Sequence, residues 1–183
     1  MNDATLTVDE VCVAGAAALR ARRREFVDLL VDAVAGGASM GFLLPPDRAT
    51  LERYWNGVAA DVAHGERFVF MVERGGRIVG SVQLAPCAKD NGRHRAEVQK
   101  LLVHSTVRRR GIAGALMSAA EAHAARAGWW LLLLDTREGS TAESLYRNFG
   151  WIEIGYVPDY ARDPDRTLAG CVYFYKRLEP VPA

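Results

Sequence analysis

The chain has 183 residues, of which 50% are hydrophobic, and its 23 Lys and Arg against 22 Asp and Glu leave a net charge of +1. This length is enough for a single domain, residues 1–183, with a sizeable core. The charge balance argues against a dedicated nucleic-acid binder, which would be strongly basic. The sequence lacks an apolar run of about 18 residues, so we predict no membrane partner, and its polar start is unlike a signal peptide. We therefore expect a cytoplasmic protein.

The first half of the chain predicts a strand, two helices and a meander of three strands. The strand is Leu6–Val13, and apolar residues at helical spacing predict a helix from Ala16 to Val34. Asp47 is a suitable cap for a second helix that runs to about Ala63. The meander consists of Arg67–Glu73, Arg77–Leu84 and about Ala96–Val103, with the hairpin signal Arg74-Gly75-Gly76 between the first two.

The second half of the chain predicts a strand–helix–strand unit and a closing pair of strands. An Ala-rich helix spans Gly111–Ala127, and the apolar run Trp129–Leu134 is typical of a central strand. The remaining elements are a short helix at Thr141–Phe149, strands at Trp151–Val157 and Val172–Leu178, and a loop rich in Pro and Asp at Pro158–Arg166. The complete pattern predicts a mixed α/β (α+β) domain with about seven strands and about four helices.

The sequence offers no pattern for a metal or for disulfides. Its three cysteines are widely spaced, and its four histidines are scattered. The aspartates at 159, 163 and 165 also lack the spacing of metal ligands. We predict no metal, and we expect the cysteines to be small buried residues.

The segment from residue 98 to residue 117 is the most informative, because a predicted strand enters a basic turn that opens a helix. The first N–H groups of a helix have no partner within it, and the helix dipole favours negative charge there. Gly111, Ala113 and Gly114 let a phosphate approach this backbone closely, and Arg108–Arg110 add charge-assisted hydrogen bonds. The turn therefore predicts a pyrophosphate site, with a solvated helix start as the alternative.

The turn also resembles a known signature. Arg108-x-x-Gly111-x-Ala113, after a strand and at the start of a helix, is similar to the acetyl-coenzyme A (acetyl-CoA) signature of the GNAT N-acetyltransferase superfamily. Residues 142–151, which include Leu145-Tyr146, resemble a late helix of that family. Within the superfamily, residues 94–101, 134–136 and 158–160 look like the tabtoxin-resistance type of acetyltransferase. The resemblance covers roughly residues 65–178 and implies the GNAT fold.

The resemblance implies that acetyl-CoA is the co-substrate. The residues that would bind it are Arg108, Arg109, Arg110, Gly111, Ile112, Ala113 and Gly114 in the turn, with Leu101, Leu102 and Val103 at the end of the strand before it. In this family that strand splays from its neighbour, so that its free backbone groups pair with the pantetheine arm. Backbone N–H groups at Leu102 or Val103 would polarise the thioester carbonyl.

Three side chains are candidates for the proton transfers. Glu97 starts the predicted cofactor strand and Asp135 ends the apolar one, and carboxylates at matching positions are the proposed bases of the tabtoxin-resistance type. Burial and a like-charged neighbour would raise the pKa of one of them. Alternatively, Glu97 pairs with Arg95 or Lys100, and Asp135 caps a turn. The resemblance implies that Tyr146 protonates the departing thiolate.

The acceptor is the least defined part of the sequence interpretation. Trp55, His94 and Tyr160 are candidates for binding it. We expect the loop Pro158–Arg166 to cover the acceptor pocket and Asp47–Trp55 to form its other wall.

The resulting hypothesis is an N-acetyltransferase that acts on the primary amine of a small molecule, such as an amino-acid-like toxin, an antibiotic or a metabolite. One alternative is acetylation of protein lysines or N-terminal amines. Others are a non-catalytic acyl-CoA sensor and a general phosphate-binding module. The sequence is compatible with a monomer or a homodimer.

Overall fold

The structure is a computed structural model that describes residues 11–179. Its strands are β1 (Val11–Val13), β2 (Phe68–Arg74), β3 (Arg77–Pro86), β4 (Arg95–Val103), β5 (Leu131–Arg137), β6 (Ile152–Arg162) and β7 (Leu168–Arg177). Its α-helices are α1 (Ala16–Ala21), α2 (Arg23–Ala35), α3 (Arg48–Ala63), α4 (Ile112–Arg126) and α5 (Thr141–Asn148). Within this range, no helix is both long and apolar enough to cross a membrane.

The strands form one mixed sheet in the order β1-β2-β3-β4-β5-β7-β6. The β4–β5 pair is parallel and is connected through α4, whereas the other neighbours are antiparallel. Two clusters of buried apolar residues form the core. One packs α4 and the Tyr146 region of α5 on the strands, and the other packs α1, α2 and α3. The predicted fold class is therefore confirmed.

The helix predicted from Ala16 to Val34 is interrupted at Arg22, which explains why there are five helices rather than about four. The backbone of Arg22 leaves helical geometry, at φ −105° and ψ 16°. Its guanidinium pairs with Glu25 and with Glu73 of the β2–β3 hairpin. The side chain thus links the helix start to the sheet, a long-range contact that local periodicity does not reveal.

The region after Val157 also differs from the prediction. Residues 158–162 continue β6 rather than forming a loop, and only 163–167 connect β6 to β7. β6 is an edge strand, so the missing N–H of Pro158 is tolerated there. A bulge between Val157 and Ala161, with Asp159 at φ 50°, accommodates the irregular sequence.

Other boundaries follow the sequence. The Asp47 side chain accepts hydrogen bonds from the N–H groups of Ala49 and Thr50 and caps α3 as predicted. Of the predicted strand Leu6–Val13, residues 6–10 lie outside the described residues, and β1 is the described part.

Candidate functional site

The site forms where the parallel strands β4 and β5 separate. They pair only from Arg95 to Glu97, opposite Leu131 to Leu133. Beyond this point β4 continues beside β3 as far as Val103, and β5 continues beside β7 as far as Arg137. The facing edges therefore leave backbone polar groups without a partner in the other strand, which is the splay that the family resemblance implies.

A β-bulge bends β4 at this point. Ser81 pairs with Leu102 but Gln83 pairs with Gln99, so two residues of β4 oppose one residue of β3. Lys100 lies in the bulge at φ 50°, in the left-handed region. A bulge of this kind kinks its strand, and here it accompanies the separation of β4 from β5.

A cavity of about 320 Å³ lies in the gap, and we call it the β4–β5 cavity. Glu97, Leu101, Asp135, Tyr146 and Tyr160 all line it, so five of the predicted site residues come together in one place. A second cavity adjoins it along Glu97, Asp135 and Tyr160. The arrangement places two carboxylates and two phenols around a common volume.

Asp135 accepts a hydrogen bond from a thiol. The Cys171 Sγ on the neighbouring strand β7 lies 3.2 Å from Asp135 Oδ2. Burial, together with the nearby Asp135 carboxylate, raises the pKa of the Cys171 thiol to about 12. The thiol therefore stays protonated at neutral pH and remains a hydrogen-bond donor to Asp135.

Glu97 accepts a hydrogen bond from an amide. Gln99 Nε2 donates to Glu97 Oε1 at 2.9 Å, while Gln99 Oε1 accepts from Arg67 Nη1 at 2.7 Å. Arg67 thereby fixes the orientation of the amide that holds Glu97. Glu97 and Asp135 are both exposed, so the burial expected for one of them is absent.

Tyr146 is the buried member of the group, at 6% exposure. Its ring packs near Trp151 and Phe174, with centroids 6.0 Å and 6.2 Å away. Burial, with a smaller effect of the Asp135 charge, raises the pKa of the phenol. Ser140 caps the helix that carries Tyr146 by accepting a hydrogen bond from the Glu143 N–H at 3.1 Å.

The basic turn has the geometry of an anion cradle. Gly111, the residue before α4, adopts φ 78° and has no side chain to cap the helix. Ala115 N–H makes the hydrogen bond to Gly111 O, so the three N–H groups before it belong to the open first turn. At Gly114 a Cβ would lie 2.8 Å from the ring of Phe149. The absence of a side chain at Gly114 therefore serves the packing of α4 against Phe149.

The three arginines of the turn differ from one another. Arg108 Nε donates to the Val103 carbonyl at 3.1 Å, so this side chain helps to hold the turn on the end of β4. All three arginines are exposed, so the contact of Arg108 with Val103 is what distinguishes it from Arg109 and Arg110. Asp32 of α2 fixes the start of the turn by accepting hydrogen bonds from Ser105 N–H and Oγ, at 2.8 Å and 2.6 Å.

The three residues at the end of β4 have different surroundings. Leu101 lines the β4–β5 cavity, and Leu102 is buried in the core beneath α1–α3. Val103 is half-buried and packs on the α4 side. The side chains of these three residues thus point to different surroundings, while their backbone runs along the edge of the gap between β4 and β5.

Two of the predicted acceptor residues lie elsewhere. Trp55 is 2% exposed and packs 4.6 Å from Phe26, because its face of α3 supplies the core. His94 stacks on Trp130 at 4.7 Å and is among the lining residues of neither cavity. Tyr160 does line both cavities, although it belongs to β6 rather than to a loop.

One wall of the cavity differs from the wall that the sequence predicted for the acceptor pocket. Residues 39–41 line the cavity, not the Asp47–Trp55 segment. Leu44 N–H donates to the Pro164 carbonyl at 2.9 Å and ties this wall to the β6–β7 turn. The sequence did not indicate that Lys100 and Cys171 line the cavity. The bulge of β4 places Lys100 there, and the register between β5 and β7 places Cys171 there. Among residues 11–179 there is no cluster of three metal-ligand side chains.

The chain matches known acetyltransferases in sequence. Residues 65–153 match a family model described as an acetyltransferase (GNAT) domain. An uncharacterized N-acetyltransferase from the hisH-hisA intergenic region of Azospirillum brasilense is 36% identical over 116 residues. The match covers 62% of this chain and 67% of that relative.

Solved structures share the fold. The ribosomal-protein-alanine N-acetyltransferase of Brucella melitensis superposes with a TM-score of 0.73 at 22% identity, over 92% of this chain and 99% of the other. The yncA protein of Salmonella typhimurium, solved with its cofactor acetyl-CoA, gives a TM-score of 0.73 at 17% identity, over 94% and 95%. At these identities the likeness concerns the fold.

Proposed function

Because the chain belongs to the GNAT acetyltransferase family and is an acetyl-CoA-dependent N-acetyltransferase, we propose that it acetylates the primary amine of a small molecule. The observation that carries this proposal is the β4–β5 cavity. Its volume of about 320 Å³ suits a metabolite-sized acceptor. Its carboxylates, Glu97 and Asp135, suit an ammonium group. An amino-acid-like toxin, antibiotic or metabolite has this chemistry, and the tabtoxin-resistance type stays a prediction.

For acetyl-CoA we propose the two parts of the site that the sequence indicates. The open first turn of α4, with Gly111–Gly114, supplies N–H groups for the pyrophosphate, and the exposed Arg109 and Arg110 add positive charge. The β4 edge from Leu101 to Val103 supplies backbone groups for the pantetheine arm. Acetyl-CoA itself contributes the activated acyl group.

The carboxylates would prepare the amine for attack. We assign the role of general base to Asp135, which lines the cavity together with Tyr146 and whose charge contributes to the raised pKa of that phenol. Glu97, held by Gln99, would attract the ammonium form of the acceptor. The negative charge of Glu97 and the positive charge of the acceptor's ammonium group would attract each other within the cavity.

The later steps would use a backbone donor and Tyr146. A backbone N–H at Leu102 or Val103 would donate to the carbonyl oxygen as negative charge develops on it. Tyr146 would then give its proton to the sulfur as the carbon–sulfur bond breaks. Burial keeps this phenol protonated until it is needed.

The walls of the cavity favour a small acceptor over a protein. Residues 39–41 and residues 160 and 161 of β6 line the cavity, and the nearby Leu44–Pro164 hydrogen bond joins the segment after residue 41 to the β6–β7 turn. A protein lysine would need an open groove at this place. A non-catalytic sensor would have no use for Asp135 and Tyr146 together. We further propose that residues 1–183 form one domain, since the described strands share one sheet.

The test is release of CoA thiol from acetyl-CoA across a panel of amines: amino acids, aminoglycosides, polyamines and lysine peptides. We expect turnover with small amines, and a loss of about 100-fold or more in Asp135→Asn. Asp90→Asn, which changes an exposed aspartate outside both cavities, is the matched control. Turnover with lysine peptides alone would favour the protein acceptor. Tight cofactor binding without turnover of any amine would favour the sensor.

A further inference from the structure

The β4–β5 cavity contains a cation that the proposed mechanism does not use. Lys100 lines the cavity from the bulge of β4. Its Nζ lies 6.0 Å from the centroid of the Tyr54 ring. A Cβ placed on Gly41 would be 4.0 Å from the same Nζ. The ammonium group therefore faces the wall formed by residues 39–41, on the acceptor side of the sheet.

The other cation of the cavity already has partners. Arg137 Nε donates to Asp163 Oδ2 at 2.6 Å, and its Nη1 donates to the Glu138 carbonyl at 2.7 Å. These contacts tie the end of β5 to the β6–β7 turn. The guanidinium of Arg137 therefore has a structural role.

Lys100 differs, because no ion pair satisfies it in the part of the chain that the structure describes. Asp135 and Glu97 act on it through space, but neither carboxylate lies within 4.0 Å of Nζ. Glu97 is held instead by Gln99. Burial lowers the pKa of Lys100, while the charges of Asp135 and Glu97 act in the opposite direction.

The backbone of Lys100 is also unusual, because its φ of 50° lies in the left-handed region. A non-glycine residue in the left-handed region is strained, and such positions concentrate at functional sites. The bulge is what turns this side chain towards the 39–41 wall. A lysine that only formed a surface salt bridge would need neither the strained backbone nor the partly buried position of Lys100.

Building on the proposed function, we propose that Lys100 binds an anionic group of the acceptor. The acceptor would then be a small molecule that carries a carboxylate or a phosphonate in addition to its primary amine. The amine would lie towards Asp135 and Glu97, and the anion towards Lys100 and the wall at residues 39–41. A zwitterionic acceptor of this kind matches the charges of the cavity at both ends.

The experiment compares acceptors that differ only in the anion. Amino acids, their carboxamides and the aminophosphonates with the same carbon skeleton are tested for kcat/KM with acetyl-CoA. A charge-assisted hydrogen bond predicts a preference of about 10- to 100-fold for the anionic acceptor over its carboxamide. The carboxylate and phosphonate arms show which anion fits better, and a preference for either over the carboxamide supports the proposal.

Variants then assign the preference to Lys100. In Lys100→Met the ratio of acid to carboxamide should fall by about 10- to 100-fold, chiefly through KM, while Lys100→Arg should restore part of it. Lys89→Met removes an exposed lysine outside both cavities and should keep the ratio. Acetyl-CoA affinity and thermal unfolding report whether each variant is folded.

The outcomes separate this inference from the function on which it rests. Equal kcat/KM for the acid and the carboxamide in the wild-type protein would overturn the role of Lys100 and leave amine acetylation intact. An unchanged ratio in folded Lys100→Met would do the same. Absence of turnover with every amine would instead overturn the proposed function, and the inference with it.

Discussion

Removing a single oxygen from Tyr146 tests the proposed acid. No side chain or backbone group among the described residues is hydrogen-bonded to the hydroxyl of this buried residue, which lines the cavity. Tyr146→Phe keeps the ring packing on Trp151 and Phe174, so we expect the free energy of unfolding to change by less than about 1 kcal/mol. If the phenol is the acid, kcat should fall by about 10²- to 10⁴-fold, equivalent to roughly 3–5 kcal/mol of activation free energy.

The assay combines steady-state release of CoA thiol with acetyl-CoA affinity and thermal unfolding. We expect kcat to fall while the dissociation constant of acetyl-CoA changes little. Because burial raises the pKa of the phenol above its ordinary value of about 10, the acid should stay protonated across the neutral and mildly alkaline range. Tyr175→Phe on β7, outside both cavities, is the control. A kcat within about threefold of wild type would refute the assignment.

Three further predictions concern the cradle, the helix cap and acid stability. In Gly114→Ala the added Cβ would meet Phe149 at 2.8 Å, so thermal unfolding should show a loss of about 1–3 kcal/mol and calorimetry a weaker affinity for acetyl-CoA; unchanged values would contradict the close packing. Ser140→Ala should lower stability by about 1 kcal/mol through loss of the α5 cap, and an unaltered midpoint in denaturant would argue against it. Hydrogen bonds from Arg22 lower the pKa of Glu25 in the folded state. The stabilisation by Glu25 is therefore complete above the unfolded pKa of about 4.5 and disappears as pH falls through the folded pKa. In Glu25→Gln the free energy of unfolding should decline less with falling pH, and parallel curves of unfolding free energy against pH for the two proteins would contradict the contact.

Local signals were enough to predict much of the fold. The Asp47 cap, the Gly75-Gly76 hairpin and the glycine-containing turn before α4 depend on neighbouring residues, and the structure contains each of them. The sequence also predicted the two strands that meet at the site. Glu97 and Asp135 lie on these strands, and both line one cavity with Tyr146.

Features that depend on distant contacts were not predicted. The bulge that orients Lys100 arises from the register between β3 and β4, which one strand alone does not encode. The place of Cys171 beside Asp135 depends likewise on β5–β7 pairing. Trp55 was predicted to bind the acceptor, but the packing of α3 on α2 buries it in the core.

We propose that the gap between β4 and β5 brings the thioester to Tyr146 and Asp135. The most direct test is a crystal structure of the protein with CoA bound, in which the distance from the CoA sulfur to the Tyr146 hydroxyl is measured. We expect the pyrophosphate on the first turn of α4, the pantetheine arm along β4, and the sulfur within about 4 Å of that hydroxyl, which is within reach for proton transfer. A sulfur more than about twice that distance away, or a pantetheine arm outside the gap, would contradict the account.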